Sequence, residues 1–215
     1  MKRPLFYLIL LLCVIISSAN IQEPYTKHSY KPELDDFRKV SLAGVGVRWK
    51  KFGPIRAKVY SAGIYVDKAA TILKKQGLKP KDGGKFDETN EFQQIFVEED
   101  LTKSILLRMA REVGADTMIS ALSDSIKPRI GADLDALKKF EAILSESLAG
   151  GKVKNDMTFR FDSSANGALD VLINGATKGS INSKPLIKAL FGTYLDKNTV
   201  APTLKENVGA NVLKW

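Results

Sequence analysis

Apolar and polar or small residues alternate through Leu42–Asp67, LAGVGVRWKKFGPIRAKVYSAGIYVD, a period that predicts a β-hairpin. Leu42, Gly44, Gly46 and Arg48 fall on one face of the first arm. Ala43, Val45, Val47 and Trp49 fall on the other. Lys51-Phe52-Gly53-Pro54 breaks the pattern with a Gly-Pro turn signal. A pivot near Pro54 sets Arg48 opposite Tyr60, with both side chains on one side of the ribbon. Helical spacing follows elsewhere. Asp67 caps a short helix from Lys68 to about Gln76. Asp100 opens a second, with Ile105, Leu106, Met109 and Val113 at helical intervals. Ala115–Ile126 and Asp133–Leu148 read as two more; in the latter Leu134, Leu137, Phe140, Ile143, Leu144 and Leu148 form one stripe. Ser183–Tyr194 is another, and Thr203–Val208 supplies a last turn or two. Glu91–Val97, Met157–Asp162, Ala168–Ile173 and Lys178–Ile181 read as strands, the last preceded by an Asn174-Gly175 turn. Asn20–Glu33, with Pro24 and Pro32, reads as a mobile leader, and Gly77–Asn90 as a loop. Strands, helices, strands and a helix in that order predict an α+β fold, an antiparallel sheet with helices on one face.

The ends and the charge refine this picture. Lys2 and Arg3 precede a twelve-residue apolar run, Leu5–Ile16, and the small residues Ser17-Ser18-Ala19. That is a signal-peptide pattern, too short for a comfortable bilayer span. The expected organisation is a signal peptide over 1–19, a leader over 20–35 and one domain over 36–215. Export to a periplasmic, secreted, lumenal or organellar location is expected, with no membrane span once the segment is removed. Cleavage would remove Cys13, the only cysteine, so no disulfide is expected. The 215 residues are 44% hydrophobic, enough for one well-cored domain. The net charge of +9 falls to +7 without Lys2 and Arg3, and acidic residues interrupt the cations nearly everywhere. No nucleic-acid partner is expected.

Much chemistry is excluded. His28 is the only histidine and falls in the leader, so Ser-His-Asp and Cys-His catalysis and His/Cys zinc sites are not expected. No metal or cofactor is expected. Gly44-Val45-Gly46 lacks the third glycine and the helix of a dinucleotide loop; Trp49 stands where that glycine would be. Glu98-Glu99-Asp100 precedes a helical pattern and reads as capping. What remains is the hairpin, where Arg48 and the Tyr60 hydroxyl converge and Gly44 and Gly46 leave room beside them. A cation and a phenol next to open space suit a carboxylate or an enolate.

The hairpin LAGVGVRWKKFGPIRAKVYSAGIYVD resembles the signature hairpin of the chalcone isomerase fold family. GADLDALKKFEAILSESLAGGKV resembles that family's amphipathic helix, and VLINGATKGSINSKPLIKALFGTYLDKNTVAPTLKENV its terminal strand and helix. The resemblance covers about residues 36–210. It implies an open-faced β-sandwich, a large antiparallel sheet covered by helices. In the isomerases the hairpin arginine, matched by Arg48, is joined by a threonine where this chain has Tyr60. The plastid fatty-acid-binding members use the arginine with a tyrosine to hold a carboxylate. The isomerases' helix tyrosine and asparagine fall near Leu101 and Arg108, and their threonine or serine of the final helix near Ala189; none of the three types is kept. The resemblance therefore implies a protein that binds a fatty acid or similar apolar carboxylate, and a monomer is expected. Arg48 and Tyr60 would hold the head group beside Gly44 and Gly46. The tail would lie in a cleft between sheet and helices walled by Ile105, Met109, Leu190 and Phe191. An isomerase or intramolecular lyase, with Arg48 and Tyr60 as its catalytic pair, and a non-catalytic helper protein are the alternatives.

Overall fold

A computed structural model describes residues 19–34, 36–37, 40–77, 94–98 and 100–215. The proposed signal segment lies outside the described residues except for Ala19, as do most of the Gly77–Asn90 loop and the first half of the Glu91–Val97 strand. The fold centres on the hairpin. Its arms are β4 (Val40–Phe52) and β5 (Ile55–Val66), joined at Gly53-Pro54 with Gly53 at φ 58°. With β3 (Glu33–Leu34), β6 (Lys103–Met109), β9 (Thr158–Ser163), β10 (Ala168–Ile173) and β11 (Ala176–Asn182), they build one antiparallel sheet in the order β11-β10-β9-β6-β5-β4-β3. Two short pairs stand apart: β1 (Ile21–Gln22) with β2 (Ser29–Tyr30), and β7 (Val113–Gly114) with β8 (Lys152–Val153). The helices are α1 (Lys68–Gly77), α2 (Ala115–Ile126), α3 (Leu134–Leu148), α4 (Lys184–Leu195) and α5 (Pro202–Val212). The architecture is the α+β sheet-and-helix arrangement expected.

Apolar burial places the layers. Tyr60, Ala62 and Ile64 of β5, Ile105, Leu107 and Met109 of β6, and Phe159 and Phe161 of β9 face a core shared with α2–α5. The helix ends are fixed by side chains. Asp133 caps α3 by accepting from Ala136 N, and Ser183 caps α4 by accepting from Leu186 N. The Ser183 hydroxyl also donates to Asp133 Oδ2 over 2.6 Å, which ties the two helix starts together.

Four sequence expectations are corrected. Lys103–Met109 is a strand, although Ile105, Leu106 and Met109 have helical spacing. It lies between β5 and β9, so Ile105, Leu107 and Met109 point into the main core while Leu106 packs against a smaller cluster on the other face. A strand apolar on both faces carries no clean period of two. Second, Gln94–Glu98 forms one π-helical turn in place of the second half of a strand. Third, the supposed leader is part of the fold. Tyr30 and Leu34 are buried against Val40, Val45 and Tyr65. Tyr30 fills the space left by Gly63, where a Cβ would lie 2.6 Å from its ring. Fourth, bulges interrupt the hairpin register between Leu42 and Gly44 and between Arg48 and Trp49. The first turns Leu42 to the Tyr65 face and Ala43 to the helix-covered face.

The short last turn expected over Thr203–Val208 is the eleven-residue α5, and it closes the edge of β4. Asn207 Oδ1 accepts from Val45 N at 3.0 Å, Thr203 Oγ1 accepts from Val47 N at 3.3 Å, and Asn211 Nδ2 donates to Ala43 O at 3.0 Å. The backbone of α5 comes so close that a Cβ on Gly44 would lie 2.7 Å from Val208 N, and one on Gly46 2.3 Å from Leu204 N. The room these glycines leave is therefore filled by a helix and is not open beside Arg48. Gly46→Ala should push α5 off β4 and destabilise the protein by roughly 1–3 kcal/mol or more, the usual cost of overpacking. A urea midpoint equal to that of the wild type would contradict this seating.

Candidate functional site

The hairpin register brings Arg48 and Tyr60 face to face as expected. Arg48 Nη1 donates to Tyr60 Oη at 3.1 Å, and the guanidinium carbon lies 5.6 Å from the Tyr60 ring centroid. The bulge beside Arg48 leaves Val59 without a register partner on β4 and turns it toward the core. The sequence did not point to the third member of this group. Tyr194, near the end of α4, sets its hydroxyl 2.9 Å from that of Tyr60, with ring centroids 6.5 Å apart. Both tyrosines are fully buried and Arg48 is half-buried. Burial holds the Tyr194 phenol well above its ordinary pKa, so it stays a neutral hydrogen-bonding group. Burial disfavours the Arg48 charge, but the Tyr60 and Tyr194 oxygens and the hydrogen bond to Tyr60 outweigh it and raise the pKa.

A recess of about 40 Å³ opens at this group. Val59, Val113, Met118 and Ala121 give it an apolar lining, and the cations Arg48, Lys50 and Arg111 line it as well. The expected tail wall is absent from it: Ile105, Met109, Leu190 and Phe191 are closed core with no contact to the recess. A larger cavity of about 500 Å³ lies away from Arg48 and Tyr60, by the start of α4. Of its cations, Lys184 pairs with Asp100, Lys188 with Glu98, and Arg129 with Asp196 at 2.7 Å, while the buried Lys103 donates to Phe96 O at 2.7 Å. Among the described residues, Arg48 has only phenol partners.

A family profile described as chalcone isomerase-like matches residues 86–208, more than half of the chain. This protein belongs to the chalcone isomerase-like family. Fatty-acid-binding protein 2 of Arabidopsis thaliana is 24% identical over 181 residues, which are 80% of this chain and 44% of that protein. The chain thus spans less than half the length of this relative. The crystal structure of an Arabidopsis thaliana fatty-acid binding protein, AtFAP1, superposes with a TM-score of 0.78 at 20% identity, covering 90% of this chain and 97% of that one. The shared fold is the large antiparallel sheet with its helices.

Within this chalcone isomerase-like frame two positions move. Leu101 precedes β6, and Arg108 lies within β6, bonded to Asp156 at 3.0 Å. Neither is on the helix that follows the middle strand. That helix is α2, ADTMISALSDSI, which has no tyrosine or asparagine; Thr117, Met118 and Ala121 are its residues at the recess. Ala189 is buried on α4 about one turn before Tyr194, the residue through which α4 supplies a hydroxyl to the site.

The other face of the sheet holds a second polar group. His28 Nδ1 lies 2.6 Å from Ser61 Oγ, which also meets Tyr30 Oη at 2.6 Å; His28 Nε2 lies 3.6 Å from Asp156. His28 is thus no solvated tail residue, and serine, histidine and aspartate do come together. Ser61 is fully buried and bonded on both sides, so it presents no nucleophile. Among the described residues, no three His, Cys, Asp or Glu side chains cluster as metal ligands, and no helix is long and apolar enough to cross a membrane. Burial and the nearby Arg108 charge lower the His28 pKa, against the opposing pull of Asp156 and Glu23. The folded state prefers neutral His28, so it should lose stability as pH falls from the ordinary value of 6.5 toward the lower folded one. Urea midpoints at about pH 7.5 and about pH 5.5 should show this, with a smaller drop in His28→Asn. Equal drops in the two proteins would remove His28 as the cause.

Proposed function

We propose that this protein binds a fatty acid or similar apolar carboxylate, with the head group at Arg48 and Tyr60 and the tail between sheet and helices. The observation that carries the reading is the state of Arg48. It is a half-buried cation at an apolar recess whose described partners are neutral phenols. An incoming carboxylate gains a charge-assisted hydrogen bond there without displacing another acid. Two relatives named as fatty-acid-binding proteins support the ligand class. Tyr194 belongs to the same clamp, since it holds the Tyr60 hydroxyl in place.

The recess of about 40 Å³ is far smaller than the ~300–1,000 Å³ of ordinary ligand pockets. The tail therefore enters by opening the packing behind the recess. Met118 at its wall, with Met109 in the core beyond, is suited to this, because unbranched thioether side chains repack at low cost. Burying about ten methylenes gains roughly 8 kcal/mol. Part of that is consumed by association and by opening the core, which leaves about micromolar affinity. We further read residues 1–19 as an export signal and the binding unit as a monomer.

Arg48→Ala should weaken binding of a fluorescent fatty acid by about 1.5–3 kcal/mol, and Tyr60→Phe by about 0.5–1.5 kcal/mol. The double variant should lose less than the sum, because both contacts need the same carboxylate. The matching fatty alcohol should respond little to either change. Equal affinity for wild type and a folded Arg48→Ala would leave the clamp without support.

The same protein should not cyclise chalcone measurably above the spontaneous reaction. The helix donors of the isomerases have no counterpart along α2, and each missing transition-state hydrogen bond costs roughly 2.7–4 kcal/mol. Spectrophotometric turnover well above background would favour the isomerase reading instead.

A further inference from the structure

The far end of the β4–β5 ribbon has no place in the core or the clamp. β6 pairs with β5 only from Tyr60 to Val66, and β3 meets β4 only at Val40 and Ser41. Among the described residues, from the pairs Trp49–Lys58 to Phe52–Ile55 the two strands pair only with each other. A bare two-stranded ribbon is marginal in water on its own, yet this one projects past its neighbours. Its sequence, Lys50–Lys58, is KKFGPIRAK, with four cations and no acid. At the apex Ile55 is 67% exposed, one of the most exposed large apolar side chains among the described residues. Below it the Trp49 ring is bracketed by cations: Arg56 lies 4.7 Å and Lys58 5.9 Å from its centroid, and Tyr25, 48% exposed, meets it edge-on at 5.7 Å.

An exposed aliphatic apex, then a tryptophan and a tyrosine, then a collar of lysine and arginine is the order of chemistries met on passing from acyl chains through headgroups to water. We propose that the tip of the β4–β5 ribbon docks on the surface of an anionic lipid bilayer. Ile55 enters the headgroup–acyl boundary, Trp49 and Tyr25 lie at headgroup level, the latter held by Lys58 Nζ donating to its carbonyl at 2.5 Å, and Lys51 and Arg56 face the anionic headgroups. Attraction of this kind acts over about one Debye length, so the absence of acids within the ribbon matters more than the overall charge. Lys50 belongs both to the tip and to the Arg48 recess, so docking brings the recess close to the bilayer. The inference does not depend on which ligand, if any, the recess holds.

The test measures binding of the full chain to vesicles of phosphatidylcholine alone and of equal parts phosphatidylcholine and phosphatidylglycerol. Preference for the anionic vesicles, weakened by salt, is expected. Lys51→Glu with Arg56→Glu should lower binding to them about tenfold or more, whereas Lys138→Glu with Lys139→Glu, an equal charge change on exposed α3 positions, should leave it nearly unchanged. Ile55→Ser should weaken binding at unchanged charge. In a Trp215→Phe background, brominated lipid chains should quench Trp49. Equal losses from the two charge reversals, or unquenched Trp49 in bound protein, would overturn the proposal, and circular dichroism checks that each variant is folded.

Discussion

The seating of α5 on the edge of β4 is the contact on which the site depends. β3 is two residues long and leaves most of that edge unpaired, and exposed strand edges are both costly to bury and open to wrong pairing. α5 solves this with side chains in place of a strand. Thr203, Asn207 and Asn211 recur every four residues, about 6.0 Å along a helix, and meet Val47, Val45 and Ala43, spaced every two residues, about 6.6 Å along a strand. The near match of the two repeats lets one helix face satisfy the strand. Gly44 and Gly46 are needed because hydrogen bonds this short bring helix backbone onto strand backbone.

That seating also fixes the clamp. The chain between α4 and α5 is held by Thr199 Oγ1 donating to Tyr194 O at 2.6 Å and by Val200 N donating to Thr193 O. With α5 locked to β4, the end of α4 is held over β5, and Tyr194 meets Tyr60 across the core. Tyr60 then has one hydroxyl partner on a helix and one guanidinium partner on the neighbouring strand. A buried hydroxyl without partners would be costly; here each phenol is satisfied by the next, and Arg48 ends the chain at the recess. The group is rigid on the core side and adaptable only where Arg48 meets the opening.

How far the sequence revealed this depends on the kind of signal. The pairing of Arg48 with Tyr60 was legible because a Gly-Pro turn fixes the pivot and alternation fixes the faces. Asp133–Leu148 was legible because it is half-buried and has one clean period, and Ala168–Ile173 because a short apolar run is bounded by turn signals on both sides. Lys103–Met109 was not, because a central strand buried on both faces loses its period. The leader was misread because its buried residues, Tyr30 and Leu34, stand apart among prolines and polar residues, and the glycine that receives Tyr30, Gly63, lies over thirty residues away. Gly44 and Gly46 did mark a close approach, but local sequence cannot say whether a ligand or a helix approaches. Thr203, Asn207 and Asn211 beside Leu204, Val208 and Val212 formed a readable helical stripe, and it was the clue to the answer. Tyr194 gave no local signal beyond being aromatic at the end of an apolar helix.

The closures explain why a ligand would meet Arg48 where it does. On the outer face of the sheet, Tyr30 and Leu34 cover the strands, and the buried Asp162 is bonded by the buried Ser104 and the half-buried Arg160. The β4 edge is occupied by α5. By the start of α4, Lys184, Lys188 and Arg129 of the larger cavity are matched with carboxylates, Arg129 in a fork by Asp196, and Lys103 donates to the Phe96 carbonyl. A carboxylate approaching Lys184, Lys188 or Arg129 would have to compete with acids already in place, whereas at Arg48 it would compete with a phenol. In a medium where charges are worth more than in water, that difference in partners is what the proposed placement at Arg48 rests on. Size favours the larger cavity and the partners of Arg48 the smaller recess, so the proposed site at Arg48 requires a tail that can part the wall at Met118.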